Sequence, residues 1–193
     1  MHTTASKITM LRMILIPVFL IFLYLDMRYW ALAVFIIASA SDAVDGYIAR
    51  HYNQVTNFGK FMDPLADKVL VITAMCYYIE AHQMAAWVVA IVIFREFAVS
   101  GLRLIAVEQG RVIAAAKSGK IKTTVTMVAL ILMLVMPVWA PEFSHTFDWI
   151  CSILILLTTV YSGIEYFVKN KDVFKDADWV SLLTRLLRND SII

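Results

Sequence analysis

Residues 31–50 read Ala31-Leu32-Ala33-Val34-Phe35-Ile36-Ile37-Ala38-Ser39-Ala40-Ser41-Asp42-Ala43-Val44-Asp45-Gly46-Tyr47-Ile48-Ala49-Arg50. The stretch from Ala31 to Ala38 is wholly apolar, whereas Asp42, Asp45 and Arg50 are confined to the second half. A helix of about 20 residues crosses a hydrocarbon layer of roughly 30 Å. The stretch therefore predicts a transmembrane helix with its ionisable groups gathered at one end.

Similar apolar stretches occupy residues 8–25, 59–80, 84–107, 118–137 and 147–168, with short connections between them. Of the 193 residues, 61% are hydrophobic and 17% charged, a balance that excludes a water-soluble enzyme. The reading is an all-α integral membrane protein of six transmembrane helices, with short amphipathic helices at the cytoplasmic N- and C-termini. Residues 1–193 form one membrane-embedded domain, with no room for a soluble one. The segment Trp179 to Leu187 supplies the C-terminal surface helix, since its apolar residues alternate with Arg185 in a helical pattern that Arg188 extends. Lys7 and Arg12 precede the first apolar run as in a secretory signal, but the exit Leu25-Asp26-Met27-Arg28 offers no small-residue cleavage site, so the run reads as a retained span. Cys76 and Cys151 stand apart in apolar runs and suggest neither a disulfide framework nor a zinc site.

The net charge of +2 gives no reason to expect a nucleic-acid partner, but the distribution of charge is informative. Of the 17 lysines and arginines, only Arg28 falls at an outer turn. Basic residues are retained on the cytoplasmic side, so both termini are expected there, in a cytoplasmic membrane of bacterial type. Asp42, Asp45, Asp63 and Asp67 fall in the same inner half. A charge at the centre of a membrane helix costs about 2.5–3.5 kcal/mol even on a lenient scale. Four carboxylates in adjacent helices therefore call for a compensating cation.

Asp42 and Asp45 are three residues apart and Asp63 and Asp67 four apart, so each pair projects from one helix face. Hard carboxylate oxygens without His or Cys suit Mg²⁺ or Mn²⁺, which are commonly shared with substrate phosphates. Two ions about 3.5–4 Å apart could clamp a phosphoryl group during displacement at phosphorus. Gly46, Ala49 and Gly59 leave room near the backbone for a ligand, although tight helix packing is the plainer reading of any one glycine. Arg50 suits phosphate, and Pro64 favours a bent or starting helix. Structural ion pairs with Arg50, Lys60 and Lys68 are the alternative for the aspartates.

Residues 42–67 match the signature D-x2-D-G-x2-A-R-x8-G-x3-D-x3-D at every fixed position. By this signature the chain resembles the CDP-alcohol phosphotransferases, and the six-span layout agrees over nearly the whole chain. The resemblance implies transfer from a CDP-linked lipid to an alcohol with release of CMP. It implies that Asp42, Asp45, Asp63 and Asp67 are metal ligands, with Asp67 also the general base. Thr9, Gly46, Ala49, Arg50 and Gly59 would bind the nucleotide, and the protein would be a homodimer.

The acceptor is read from a second region, about 95–123. Arg95, Glu96, Ser100 and Arg103 lie within about 140° on a helical wheel. Lys117, Lys120 and Lys122 gather at the start of the next span, where a helix dipole also favours an anion. Arg95, Ser100, Arg103, Lys120 and Lys122 are the candidate binders of an acceptor phosphate, with positive-inside anchoring the competing reading for the lysines and an ion pair the competitor for Arg95 and Glu96. The segments Arg95-Glu96-Phe97-Ala98-Val99-Ser100-Gly101-Leu102-Arg103, Gly119-Lys120-Ile121-Lys122-Thr123 and Asp63-Pro64-Leu65-Ala66-Asp67-Lys68 resemble the branch of the family that forms phosphatidylglycerol phosphate. The N-terminal Ile8-Thr9-Met10-Leu11-Arg12, followed by Pro17, is similar to that branch's opening helix. Ala5-Ser6 stands where its members usually have Pro-Asn.

The substrates so implied are CDP-diacylglycerol and sn-glycerol 3-phosphate in the setting of membrane lipids, and the products phosphatidylglycerol phosphate and CMP. A sister enzyme using phosphatidylglycerol or an inositol phosphate is the alternative within the family. A divalent-cation transporter is the alternative outside it, disfavoured because a transport path needs polar groups across the full membrane thickness.

Overall fold

The computed structural model describes residues 4–51, 57–108, 110, 113 and 116–171, without the side chains of residues 4–9, 42–51, 57–64, 67 and 108. Among these residues there are six α-helices and no strand. They are α1 (Thr4–Tyr24), α2 (Arg28–His51), α3 (Asn57–Glu80), α4 (Ala86–Glu108), α5 (Lys117–Trp139) and α6 (Ser144–Lys169), with a short 3-10 turn, Pro141–Phe143, before α6. Each of the six apolar stretches lies on one helix, with ends displaced by a few residues. Long runs of Leu, Ile, Val and Met favour helix, and Pro17 in α1, Pro64 in α3 and Pro137 in α5 are all accommodated inside their helices.

Two expectations need correction. No separate amphipathic helix precedes the first span among the described residues: α1 takes in residues 4–7 without a break, because neither Gly nor Pro stands between Thr4 and Ile8. Nor does α3 start at Pro64, since its first turn is at Asn57. The segment Trp179 to Leu187 lies outside the described residues.

Two tight turns set the antiparallel course of the chain. At the end of α1 the Met27 N–H donates to the Phe22 carbonyl at 2.9 Å and the Asp26 N–H to Leu23 at 3.1 Å. At the end of α3 the Gln83 N–H donates to Tyr78 at 2.9 Å and the His82 N–H to Ile79 at 3.1 Å. Both are Schellman closures, in which the residue after the helix turns left-handed. Glycine usually fills that position; here Asp26 (φ 54°) and His82 (φ 57°) do.

The core runs along the helix axes. Ile16, Phe19 and Leu23 of α1 meet Ala31, Phe35 and Ala38 of α2 and Leu70, Ala74 and Tyr78 of α3, and Val88, Val92, Leu130, Met133 and Ile155 complete it. Large apolar side chains also cover the outside, among them Phe94, Leu104, Trp139, Leu157 and Tyr161. An apolar exterior of this extent suits lipid. By length and composition, α5 and the segment Pro141–Lys169 can cross a membrane, while α1 and α2 offer the shorter apolar stretches Met10–Tyr24 and Arg28–Ser41. α4 interrupts its apolar run with Arg95, Glu96 and Arg103.

Candidate active site

The signature spans two consecutive helices in contact, α2 and α3. Asp42, Asp45, Gly46, Ala49 and Arg50 lie in the last turns of α2, and Gly59, Asp63 and Asp67 in the first turns of α3. Helical spacing puts each aspartate pair on one face of its helix. The side chains of these residues and of Thr9 lie outside the described ones.

The immediate surroundings are described. Arg12 of α1, which falls in the segment similar to the branch's opening helix, is completely buried. Its Nε donates to the Ser41 hydroxyl at 3.1 Å, and that hydroxyl donates to the Ala38 carbonyl at 2.7 Å. A buried guanidinium is tolerable only where its charge is balanced. Ser41 anchors it one residue before Asp42, at the turn where the acidic residues begin.

Lys68 of α3, next in sequence to Asp67, lines a cavity of about 390 Å³. Arg95, Glu96, Ser100 and Arg103 of α4, Gly119 and Lys120 of α5 and Tyr166 of α6 share its wall. Four of the five residues singled out for an acceptor phosphate, namely Arg95, Ser100, Arg103 and Lys120, are thus brought to one space. The fifth, Lys122, turns aside. It is almost wholly buried, donates to Glu96 Oε1 at 2.7 Å, and lines a smaller neighbouring space with Lys68 and Glu96.

Glu96 is the hub of this arrangement. It accepts from Lys122 and, at 3.0 Å, from Arg95, with the Lys68 ammonium 4.0 Å from its second oxygen. The ion-pair reading of Arg95 and Glu96 therefore holds together with their placement on one polar face. Lys68 also donates to the Ser100 hydroxyl. Three cations around one carboxylate leave the cavity positive, the condition for receiving a dianionic phosphate.

Two further residues shape the cavity, and the sequence reading missed both. Arg103 donates from Nε to the Tyr166 hydroxyl at 3.0 Å and lies over its ring, with Cζ 5.6 Å from the centroid. Tyr166 thereby fixes the direction of that guanidinium. Gly163, one turn earlier on α6, lets the stem of Arg95 pass: a Cβ there would sit 3.3 Å from Arg95 Cγ. The spacing Gly163-x2-Tyr166 on an apolar helix was the available signal.

The whole defines a helical bundle with the signature on the adjoining ends of α2 and α3 and, beside Lys68, a cavity of about 390 Å³ walled by Arg95, Arg103 and Lys120. Residues 2–176 match the family model described as CDP-alcohol phosphatidyltransferase, and the chain belongs to that family. It is 40% identical over 193 aligned residues to a CDP-diacylglycerol–glycerol-3-phosphate 3-phosphatidyltransferase of Bacillus subtilis, covering 92% of this chain and 100% of that protein. It is 38% identical over 170 residues to the protein of the same description from Escherichia coli K12, with 83% and 91% covered. A probable phosphatidylglycerophosphate synthase of Mycobacterium tuberculosis is 36% identical over 168 residues, with 84% and 78% covered.

Proposed function

We propose that this enzyme transfers the phosphatidyl group of CDP-diacylglycerol to sn-glycerol 3-phosphate, giving phosphatidylglycerol phosphate and CMP. The observation that carries the reading is the junction of two regions. The signature helices α2 and α3 run directly, through Lys68, into a cavity walled by Arg95, Ser100, Arg103 and Lys120. One region suits a nucleoside diphosphate, and the other a small phosphate-bearing alcohol.

The donor set of Asp42, Asp45, Asp63 and Asp67, all hard oxygens on two packed helices, fits two divalent ions of the Mg²⁺ or Mn²⁺ kind. Such ions, when bound, would neutralise the diphosphate and make CMP a better leaving group. Arg103, Lys120 and Arg95 hold the acceptor's phosphate, while Lys122 works through Glu96. Asp67 accepts the proton of the acceptor hydroxyl as its oxygen bonds to the phosphatidyl phosphorus. The bond from that phosphorus to the CMP oxygen breaks, and CMP leaves with the electron pair. Thr9, Gly46, Ala49, Arg50 and Gly59 line the cytidine side.

The remaining architecture belongs to the same proposal. All 193 residues form one domain of six transmembrane helices, with both termini and the reaction at the cytoplasmic face and a homodimer as the assembly. An assay of the purified protein with CDP-diacylglycerol and a panel of alcohols tests the acceptor. CMP release with glycerol 3-phosphate is expected; its absence, with release to phosphatidylglycerol or inositol phosphate instead, would reassign the substrate.

A further inference from the structure

A second cavity of about 400 Å³ lies at the opposite end of the bundle, where the turn after α3 meets the starts of α4 and α6. Val88 on its wall and Arg103 in the first cavity are separated by roughly 22 Å along α4. The two spaces are therefore distinct, and the transfer reaction makes no use of this one.

Its chemistry is unusual for that end of the protein. Asp148 of α6 lines the cavity at 4% exposure, and only one of its oxygens has a partner, Gln83 Nε2 at 3.2 Å. The other oxygen, Oδ1, is buried without a hydrogen bond. Ser152, one turn along α6 and 7% exposed, also lines the cavity with an unpartnered hydroxyl. No lysine or arginine is among the lining residues, and although His82 and His145 line the cavity and His145 and Arg28 act on Asp148 through space, none of them hydrogen-bonds its Oδ1. A buried polar atom without a partner costs about 1–3 kcal/mol, more when charged. A carboxylate, a hydroxyl and an amide facing one space thus await a donor carrying positive charge.

Two observations define that donor. Among the described residues no three His, Cys, Asp or Glu side chains converge to hold a metal ion, which turns the reading from a cation of that kind to an organic one. Trp87 and Trp149, both more than half exposed, are also lining residues, and Ile79, Ile153 and Leu156 add apolar wall. Indole faces attract an ammonium group, and apolar wall accommodates its carbon chain.

We infer that this cavity is a binding site for a primary alkylammonium group, with Asp148 as its counter-ion and the Ser152 hydroxyl and Gln83 amide oxygen as acceptors. An aminophospholipid headgroup and a soluble amine both carry this group, and the displacement arms of the experiment separate them.

Calorimetric titration of the detergent-solubilised full chain with n-octylammonium and with n-octanol tests the inference. Saturable binding of the ammonium at least about tenfold tighter than that of the alcohol is expected. Asp148→Asn should weaken it about tenfold and Ser152→Ala about threefold, both without loss of CMP formation; the serine variant keeps the test alive should the first fail to fold. Displacement by phosphatidylethanolamine in the micelle would identify a lipid source, and displacement by free ethanolamine a soluble one. Equal affinity for the alcohol and the ammonium, unchanged affinity in both variants, or displacement by neither amine would overturn the assignment.

Discussion

In the proposed mechanism the α2–α3 pair and the α4–α5–α6 group contribute to one reaction centre in different ways. The first concentrates its chemistry in a continuous stretch, residues 42–67, whose spacing on two consecutive helices already expresses the geometry. The second assembles its cavity from Arg95, Lys120 and Tyr166, which meet only when three helices pack. Covalent proximity places the signature acids on the adjoining ends of two helices, whereas tertiary packing forms the basic cavity. The acids should therefore govern rate and the cavity substrate affinity, and variants in the two regions should separate those quantities.

The largest effect is expected from Asp67→Asn. Loss of the proposed general base should reduce CMP formation by about 10³-fold, while CDP-diacylglycerol binding stays within about threefold because the proposed metal ligands Asp42 and Asp45 remain. Equal losses of rate and binding would remove the distinction between the regions. Arg103→Ala comes next, removing the proposed charge-assisted contact to the acceptor phosphate. The KM for glycerol 3-phosphate should rise about 10- to 100-fold with that for CDP-diacylglycerol unchanged. A parallel rise in both would move Arg103 out of the acceptor cavity.

Gly163→Ala sharpens the comparison by acting on the cavity without altering any charge. Its added methyl would press on the Arg95 stem at 3.3 Å, and steady-state kinetics should show a rise of about threefold to tenfold in the glycerol 3-phosphate KM. The smallest effect belongs to the core between the regions. The buried Tyr78 hydroxyl donates to the Leu130 carbonyl at 2.8 Å, tying α3 to α5. Tyr78→Phe should lower stability by about 1 kcal/mol, or roughly 2–4 °C in a thermal melt, with CMP formation unaffected.

Most of the helices were legible because each carries a long, largely apolar stretch, even where charged residues interrupt it as in α4. The same is true of the signature, since three- and four-residue spacings place side chains on a face whatever the neighbours do. Legibility ended where partners lie far apart in sequence. Lys122 shares its helix start with Lys120, but its side chain is committed to Glu96 on α4. Arg12 read as a basic residue at the entry to the first span, and its anchoring on Ser41 of α2 appears only in the packed structure. Tyr166 and Gly163 read as ordinary members of a membrane helix until α4 packs on α6. Asp148 is likewise inconspicuous at the start of an apolar run, and only its burial with an unpartnered oxygen exposes it.

The central claim is that the acids of α2 and α3 share divalent ions at the mouth of the basic cavity. Anomalous diffraction from crystals of the manganese-loaded protein tests it most directly. Two peaks about 3.5–4 Å apart, within coordination distance of Asp42, Asp45, Asp63 and Asp67, are expected. Manganese absent from that position, with the four carboxylates turned to separate partners, would contradict the account.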